Sequence, residues 1–267
     1  MEDEIMRKFL SVNKQSNSPR IGKYASKKET FYEDIEKWQN ERTKEKYDIK
    51  PIQFTFEITN RCNCNCKDCG MSANSIIEGK TKLTENDVYK LVDDLYENGI
   101  PAFAITGGEP FLEFDNMCKM IKYSDGKVDV NKIISNGFWG RNAEHYFKKI
   151  EEAGLFNNQF FVPSIQISIG EQTIPLEYIC NIINYVSKHY TIEQLNLGIV
   201  HTRLKGEKES QLQKLYDIYL QKFGQFPEGR IYLTDSYYVN SNINAKEKIE
   251  TYSMTIFDAV QQCDNRF

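Results

Sequence analysis

From Pro51 onward the chain alternates two textures: short runs rich in β-branched and aromatic residues, and longer stretches whose apolar residues recur every three or four positions. A repeated strand-then-helix pattern is best satisfied by successive βα units laid side by side as a parallel sheet. The strand candidates are residues 52–59, 102–106, 128–135, 161–169, 195–201 and 230–236. Helical patterns lie at 114–123, 143–153, 176–189 and 207–223. The clearest helix has Thr84 as N-cap, with Asp87 three residues on. Its apolar face carries Val88, Leu91, Val92 and Leu95, and Gly99 stands where a terminating glycine belongs. Six such units fall short of the eight of a closed TIM barrel. The expected fold is therefore α/β, a partial (βα)6 TIM-like barrel whose side gap admits a large substrate. Chemistry in such barrels gathers in the loops after the strands' C-terminal ends.

Three segments are expected along the 267 residues. Residues 1–50 form a polar, partly helical extension in which Ile35 and Trp38 hint at one weakly amphipathic, solvated helix. Residues 51–238 form the barrel, long enough for one large core, and residues 239–267 form a polar tail with a short helix around 251–262. With 34 basic and 38 acidic residues the formal charge is −4, so no global basic field attracts nucleic acid. The first fourteen residues contain no apolar signal region, and no stretch approaches the roughly 18 apolar residues of a membrane span. A cytoplasmic protein without nucleic-acid or membrane partners is the expectation.

Cysteine usage narrows the chemistry. Four of the seven cysteines crowd into residues 62–69, directly after the first strand, in Glu57-Ile58-Thr59-Asn60-Arg61-Cys62-Asn63-Cys64-Asn65-Cys66-Lys67-Asp68-Cys69-Gly70. Such close neighbours make no regular disulfide framework, so a reducing compartment and a metal or cluster site fit better. Thiolates at Cys-x3-Cys-x2-Cys can wrap one loop around a cubane cluster and ligate three irons, leaving the fourth open. A structural zinc site is the alternative, but Cys118, Cys180, Cys263, His145, His189 and His201 supply no matching second pair. The second strand leads into Gly107-Gly108-Glu109-Pro110, where glycines permit close backbone approach and Pro110 biases Glu109 toward an extended conformation.

Taken together, the Cys62, Cys66, Cys69 spacing and the Gly-Gly-Glu-Pro turn resemble the radical S-adenosylmethionine (radical SAM) superfamily, over residues 51–238. The resemblance implies a [4Fe–4S] cluster on Cys62, Cys66 and Cys69, with S-adenosylmethionine chelated at the open iron. It also implies that backbone around Gly107 and Gly108, with the Glu109 carboxylate, receives the methionine ammonium. Ser135-Asn136-Gly137 is similar to the family's Thr-Asn-Gly, and Ser168-Ile169-Gly170 to its Ser-x-Asp-Gly region without the Asp. Asn136 and Ser168 are thereby cosubstrate contacts, against the plain reading of each as a turn or cap residue. The family spacing leaves Cys64 a bystander turned away from the irons. Asp68 and Gly70 depart from the aromatic residues common around the third cysteine. On strand five, residues 197–200 are where relatives touch adenine, or simply an apolar core strand. Beyond them His201 and Arg203 open onto the barrel mouth as substrate-contact candidates, the plain reading of His201 being a satisfied polar group. Tyr232, Tyr237 and Tyr238 read as packing aromatics.

The activity so implied is reduction of the cluster, electron transfer to the sulfonium, and release of methionine and a 5′-deoxyadenosyl radical that takes hydrogen from substrate. A peptide or protein segment is the expected substrate, because relatives with a long N-terminal extension often modify ribosomally made peptides. A reductant such as flavodoxin or ferredoxin is the expected partner. Many such relatives carry a C-terminal domain with auxiliary clusters, and Cys263 reads as the place where one begins before truncation. The rivals are an activating enzyme that installs a glycyl radical, an enzyme acting on a nucleoside or cofactor precursor, and a noncatalytic Fe–S or zinc protein. Against the last stands the Gly-Gly-Glu turn, which electron carriage alone does not need.

Overall fold

The computed structural model describes residues 30–42, 51–66, 69, 83–170, 174–203, 211–227 and 231–237, with 202–203 and 232–237 described by backbone alone. The expected tail with Cys263, the positions of Asp68 and Gly70, Tyr238 and the start of the last helix lie outside these residues. The strands are β1 Gln53–Glu57, β2 Ala102–Thr106, β3 Asp129–Ser135, β4 Ser164–Ile169, β5 Asn196–Arg203 and β6 Ile231–Tyr237. The helices are α1 Phe31–Arg42, α2 Glu85–Glu97, α3 Phe114–Ser124, α4 Ala143–Glu152, α5 Leu176–His189 and α6 Gln211–Phe223.

All strand pairs are parallel and the sheet runs in sequence order, β1 to β6. Each crossover therefore steps the same way, and right-handed crossovers place the connecting helices α2 to α6 on one face of the sheet. Side-chain alternation shows the two faces directly. In β4, Ile165, Ile167 and Ile169 are buried in the core shared with Ile179 and Ile182 of α5, while Ser164, Gln166 and Ser168 are half-buried on the other face. That second face is the lumen of the partial barrel, and β1 and β6 are its unpaired edges within the described sheet.

The signals read at the ends of α2 fold as expected. Thr84 and Asp87 exchange hydrogen bonds in a capping box, with Thr84 N–H donating to Asp87 Oδ2 at 2.9 Å. Gly99, at φ +68°, lets Ile100 N–H reach back to the Leu95 carbonyl at 2.9 Å and closes the last turn.

The N-terminal helix is not the solvated element expected. Phe31, Ile35 and Trp38 of α1 are buried against Ala102, Phe160 and Phe161. Gln39, also buried, donates to the Pro51 carbonyl at 3.0 Å and the Gly99 carbonyl at 2.9 Å. These partners all precede or begin strands, so α1 lies across the N-terminal end of the barrel, opposite the cysteine loop. The weak apolar stripe was misleading because its few apolar residues are large, and three of them suffice to dock a helix this short. Among the described residues no helix is long and apolar enough to cross a membrane.

Candidate active site

Beyond β1 the chain does not break free of the sheet. Pairing with the β2 end continues through Ile58 N–H to the Thr106 carbonyl (3.0 Å), Gly108 N–H to the Thr59 carbonyl (2.7 Å) and Glu109 N–H to the Arg61 carbonyl (2.8 Å). This zipper delivers the cysteine loop to the C-terminal end of the strands. It is also why two glycines are needed. A Cβ on Gly107, whose φ is +149°, would stand 2.3 Å from the Thr59 carbonyl oxygen, and one on Gly108 would stand 2.1 Å from that of Arg61. Arg61 adds an ion pair to the buried Glu113, at 2.7 Å, in the helical turn after Pro110.

Glu109 is fully buried. Its carboxylate accepts from Phe111 N–H (3.1 Å), Ser135 Oγ–H (2.9 Å) and Asn136 N–H (2.7 Å). Burial pushes its carboxyl up to about 8, against the pull of these donors. Ser135 Oγ in turn accepts from Gly137 N–H at 3.0 Å and from the indole N–H of Trp139 at 2.9 Å. Sequence reasoning aimed the Glu109 carboxylate at a ligand; the structure turns it into the protein, where it ties the end of β2 to the end of β3.

Asn136 follows β3 and points back at the loop. Its side-chain N–H groups reach Asn63 Oδ1 at 2.8 Å, Cys64 Sγ at 3.3 Å and Cys62 Sγ at 3.9 Å. Cys62 and Cys64 are buried, and Cys66, Cys69 and Ile174 pack against them, so the four thiols share one cluster. Cys64 thus packs among the other three cysteines. The Cys64 thiol lowers the pKa of Cys62, helped by the Cys64 and Asn136 amides, while hydrogen bonds with Cys62 and Cys66 raise that of Cys64. The Asn136 amide and the Cys64 backbone N–H draw the Cys62 and Cys64 sulfurs inward, which residue spacing alone does not reveal.

Ser168 is on the lumen face at the end of β4, in register with Val200 of β5. On the same face, a Cβ at Gly198 would meet nothing within 4 Å among the described residues. His201 is elsewhere. It follows Leu197 and Ile199 onto the helix-covered face and is fully buried, so it does not open onto the mouth. The error came from reading the end of a strand as an opening without following the alternation of faces. Arg203 ends the same strand. Sequence reasoning missed Arg61, Glu113 and Ser135. Ser135, directly before Asn136-Gly137, carried a signal as a turn-forming hydroxyl; Glu113 carried none.

The model of the Radical SAM superfamily matches residues 56–217, from β1 into α6. The chain belongs to the radical SAM superfamily. Among its relatives, the peptide biosynthesis protein YydG of Bacillus subtilis is 24% identical over 181 residues, 66% of this chain and 55% of that protein. The subtilosin biosynthesis protein AlbA of the same organism is 31% identical over 87 residues, 33% of this chain and 19% of AlbA. The GTP 3′,8-cyclase of Limosilactobacillus fermentum is 35% identical over 166 residues, 59% of this chain and 47% of the cyclase. The chain spans about half the length of YydG and less of the other two.

Radical SAM enzymes use a [4Fe–4S] cluster and S-adenosylmethionine. The loop's thiols are the donor type such clusters take, they pack together, and the close-packed Gly107-Gly108 turn fixes the start of the loop that carries them.

Proposed function

We propose that Cys62, Cys66 and Cys69 hold the cluster, and that the enzyme directs its radical chemistry at a peptide or protein segment. Bound together, cluster and cosubstrate would supply the one-electron chemistry that takes a hydrogen atom from substrate. The residues of the chain bind and position. The Gly107-Gly108 turn presents backbone to the methionine part, and Glu109 holds that turn in place from behind. Ser168 contacts the cosubstrate from the lumen, and Gly198 leaves room for the adenosine part. The carrying observation is the zipper between the start of the cysteine loop and the Gly-Gly turn, which holds that end of the loop beside a close-packed backbone turn at the C-terminal end of the strands. A flavodoxin or ferredoxin serves as reductant.

The peptide assignment is supported by the likeness to YydG over two thirds of the chain and by the edge strands β1 and β6, which are unpaired on their outer sides among the described residues. A second reading, a nucleotide substrate, is supported by the 35% identity to the GTP cyclase.

Anaerobically reconstituted and reduced protein is expected to convert S-adenosylmethionine to 5′-deoxyadenosine and methionine. No 5′-deoxyadenosine from protein with a reducible cluster, tested with peptide and nucleotide, would sink the assignment. Coexpression with a short peptide encoded beside the enzyme's own gene should change that peptide's mass by loss of hydrogen, or leave a crosslink or epimer in it. Turnover of GTP with the peptide untouched would select the nucleotide reading.

A further inference from the structure

Asn136 matches a motif position expected to touch the cosubstrate, yet its hydrogen bonds lead to sulfur. Three contacts fix how the residue sits. Its backbone N–H donates to Glu109 Oε2 at 2.7 Å, its Oδ1 accepts from Phe138 N–H at 3.0 Å, and its Nδ2 donates to Asn63 Oδ1 at 2.8 Å. With Oδ1 committed to a backbone donor, the amide cannot be flipped without opposing two N–H groups. The second Nδ2 proton therefore faces the thiols, at 3.3 Å from Cys64 Sγ and 3.9 Å from Cys62 Sγ. Cys62 Sγ also accepts from the Cys64 backbone N–H at 3.3 Å, so donors converge on this sulfur.

A donor aimed at a ligating sulfur favours the more negative state of a cluster, and hydrogen bonds to sulfur are among the levers that set cluster potentials. We infer that Asn136 is a positioning residue that raises the reduction potential of the cluster through its amide on the Cys62 sulfur, held in aim by Glu109. The Gly-Gly-Glu turn then has two tasks: its glycines admit the cysteine loop, and its carboxylate orients the donor that acts on that loop. The inference rests on cluster ligation by the loop, which the iron content of the unmodified protein tests first and separately.

The experiment is a potentiometric titration of the reconstituted cluster, followed by electron paramagnetic resonance without S-adenosylmethionine, in wild type, Asn136→Ser, Asn136→Asp and, on the exposed face of α4, Lys148→Ala. Serine keeps an oxygen for the Phe138 N–H, but its side chain is too short to carry a donor to the sulfurs. Aspartate keeps that oxygen, is nearly the same shape, and replaces the donor with a negative oxygen. Asn136→Ser is expected to shift the one-electron reduction equilibrium about tenfold toward the oxidised cluster, which is about 59 mV. Asn136→Asp should shift it further, and Lys148→Ala should leave it unchanged. If serine does not retain iron, the aspartate variant alone decides. A variant with full iron content and wild-type potential overturns the inference, the more so if its affinity for S-adenosylmethionine has fallen. Loss of iron from both variants also overturns it, because Asn136 would then be scaffold for the loop.

Discussion

Arg61 and Glu113 meet at 2.7 Å, one from the cysteine loop and the other from the helical turn after the Gly-Gly-Glu-Pro motif. Glu113 is buried and Arg61 is partly exposed, so removing the arginine takes a charged partner from a carboxylate inside the protein. A hydrogen bond to a charged group is worth roughly 1.5–3 kcal/mol, and the partial exposure of Arg61 places this pair toward the low end. Arg61→Ala is expected to lower the thermal unfolding midpoint and loosen the loop. Iron content after gel filtration should fall with it. Wild-type iron retention and an unchanged midpoint would show that the pair does not anchor the loop.

Glycine substitutions separate close approach from mere flexibility. Gly107→Ala and Gly108→Ala each place a methyl within 2.3 Å of a loop carbonyl oxygen, so the zipper must open by more than an ångström. Both should lose most of their reconstituted iron while keeping the far-ultraviolet dichroism of the barrel. Gly198→Ala, with nothing within 4 Å of the new methyl, should keep both. Equal iron in all three variants would contradict the role given to the turn.

For the thiols, alanine at Cys62, Cys66 or Cys69 should abolish iron content and visible absorption, because a cubane on two protein thiolates is poorly held. Cys64→Ala should retain both, although its sulfur packs among the others. Loss of the cluster from Cys64→Ala with retention in Cys62→Ala would reassign the ligands.

Lys132 is half-buried on the lumen face of β3, in register with Ala104 and Ser164, and has no ion pair or hydrogen bond among the described residues. Burial lowers its pKa below the ordinary lysine value of 10.5. A lysine whose folded value is depressed weighs against folding while it is charged. That cost is fully present below the folded value and fades as pH rises toward 10.5. Lys132→Met should therefore melt higher than wild type at pH 7, with the difference shrinking as pH is raised toward 10. A difference that grows with pH, or a variant less stable at pH 7, would refute the reading.

Much of this was legible in the sequence for simple reasons. Each strand is announced by its own apolar run, so all six appear within a few residues of their expected bounds. The Thr84 cap and the Gly107-Gly108 turn depend on residue types with few other uses. Less legible was whatever depends on facing: α1 docks through three large side chains, and His201 is buried because two strand neighbours set its parity. Glu109 shows the same limit. Its motif marks it as important, but only the position of Ser135 and Asn136 tells that its carboxylate looks inward. Asp129, which accepts from Gln159, Phe160 and Phe161 N–H groups at the entry to β4, gave no sign before the fold was known.

Docked on Ala102, Phe160 and Phe161, α1 braces the end of the described barrel opposite the cysteine loop. Floor and rim are thereby held by different residues, so a change that loosens one need not loosen the other.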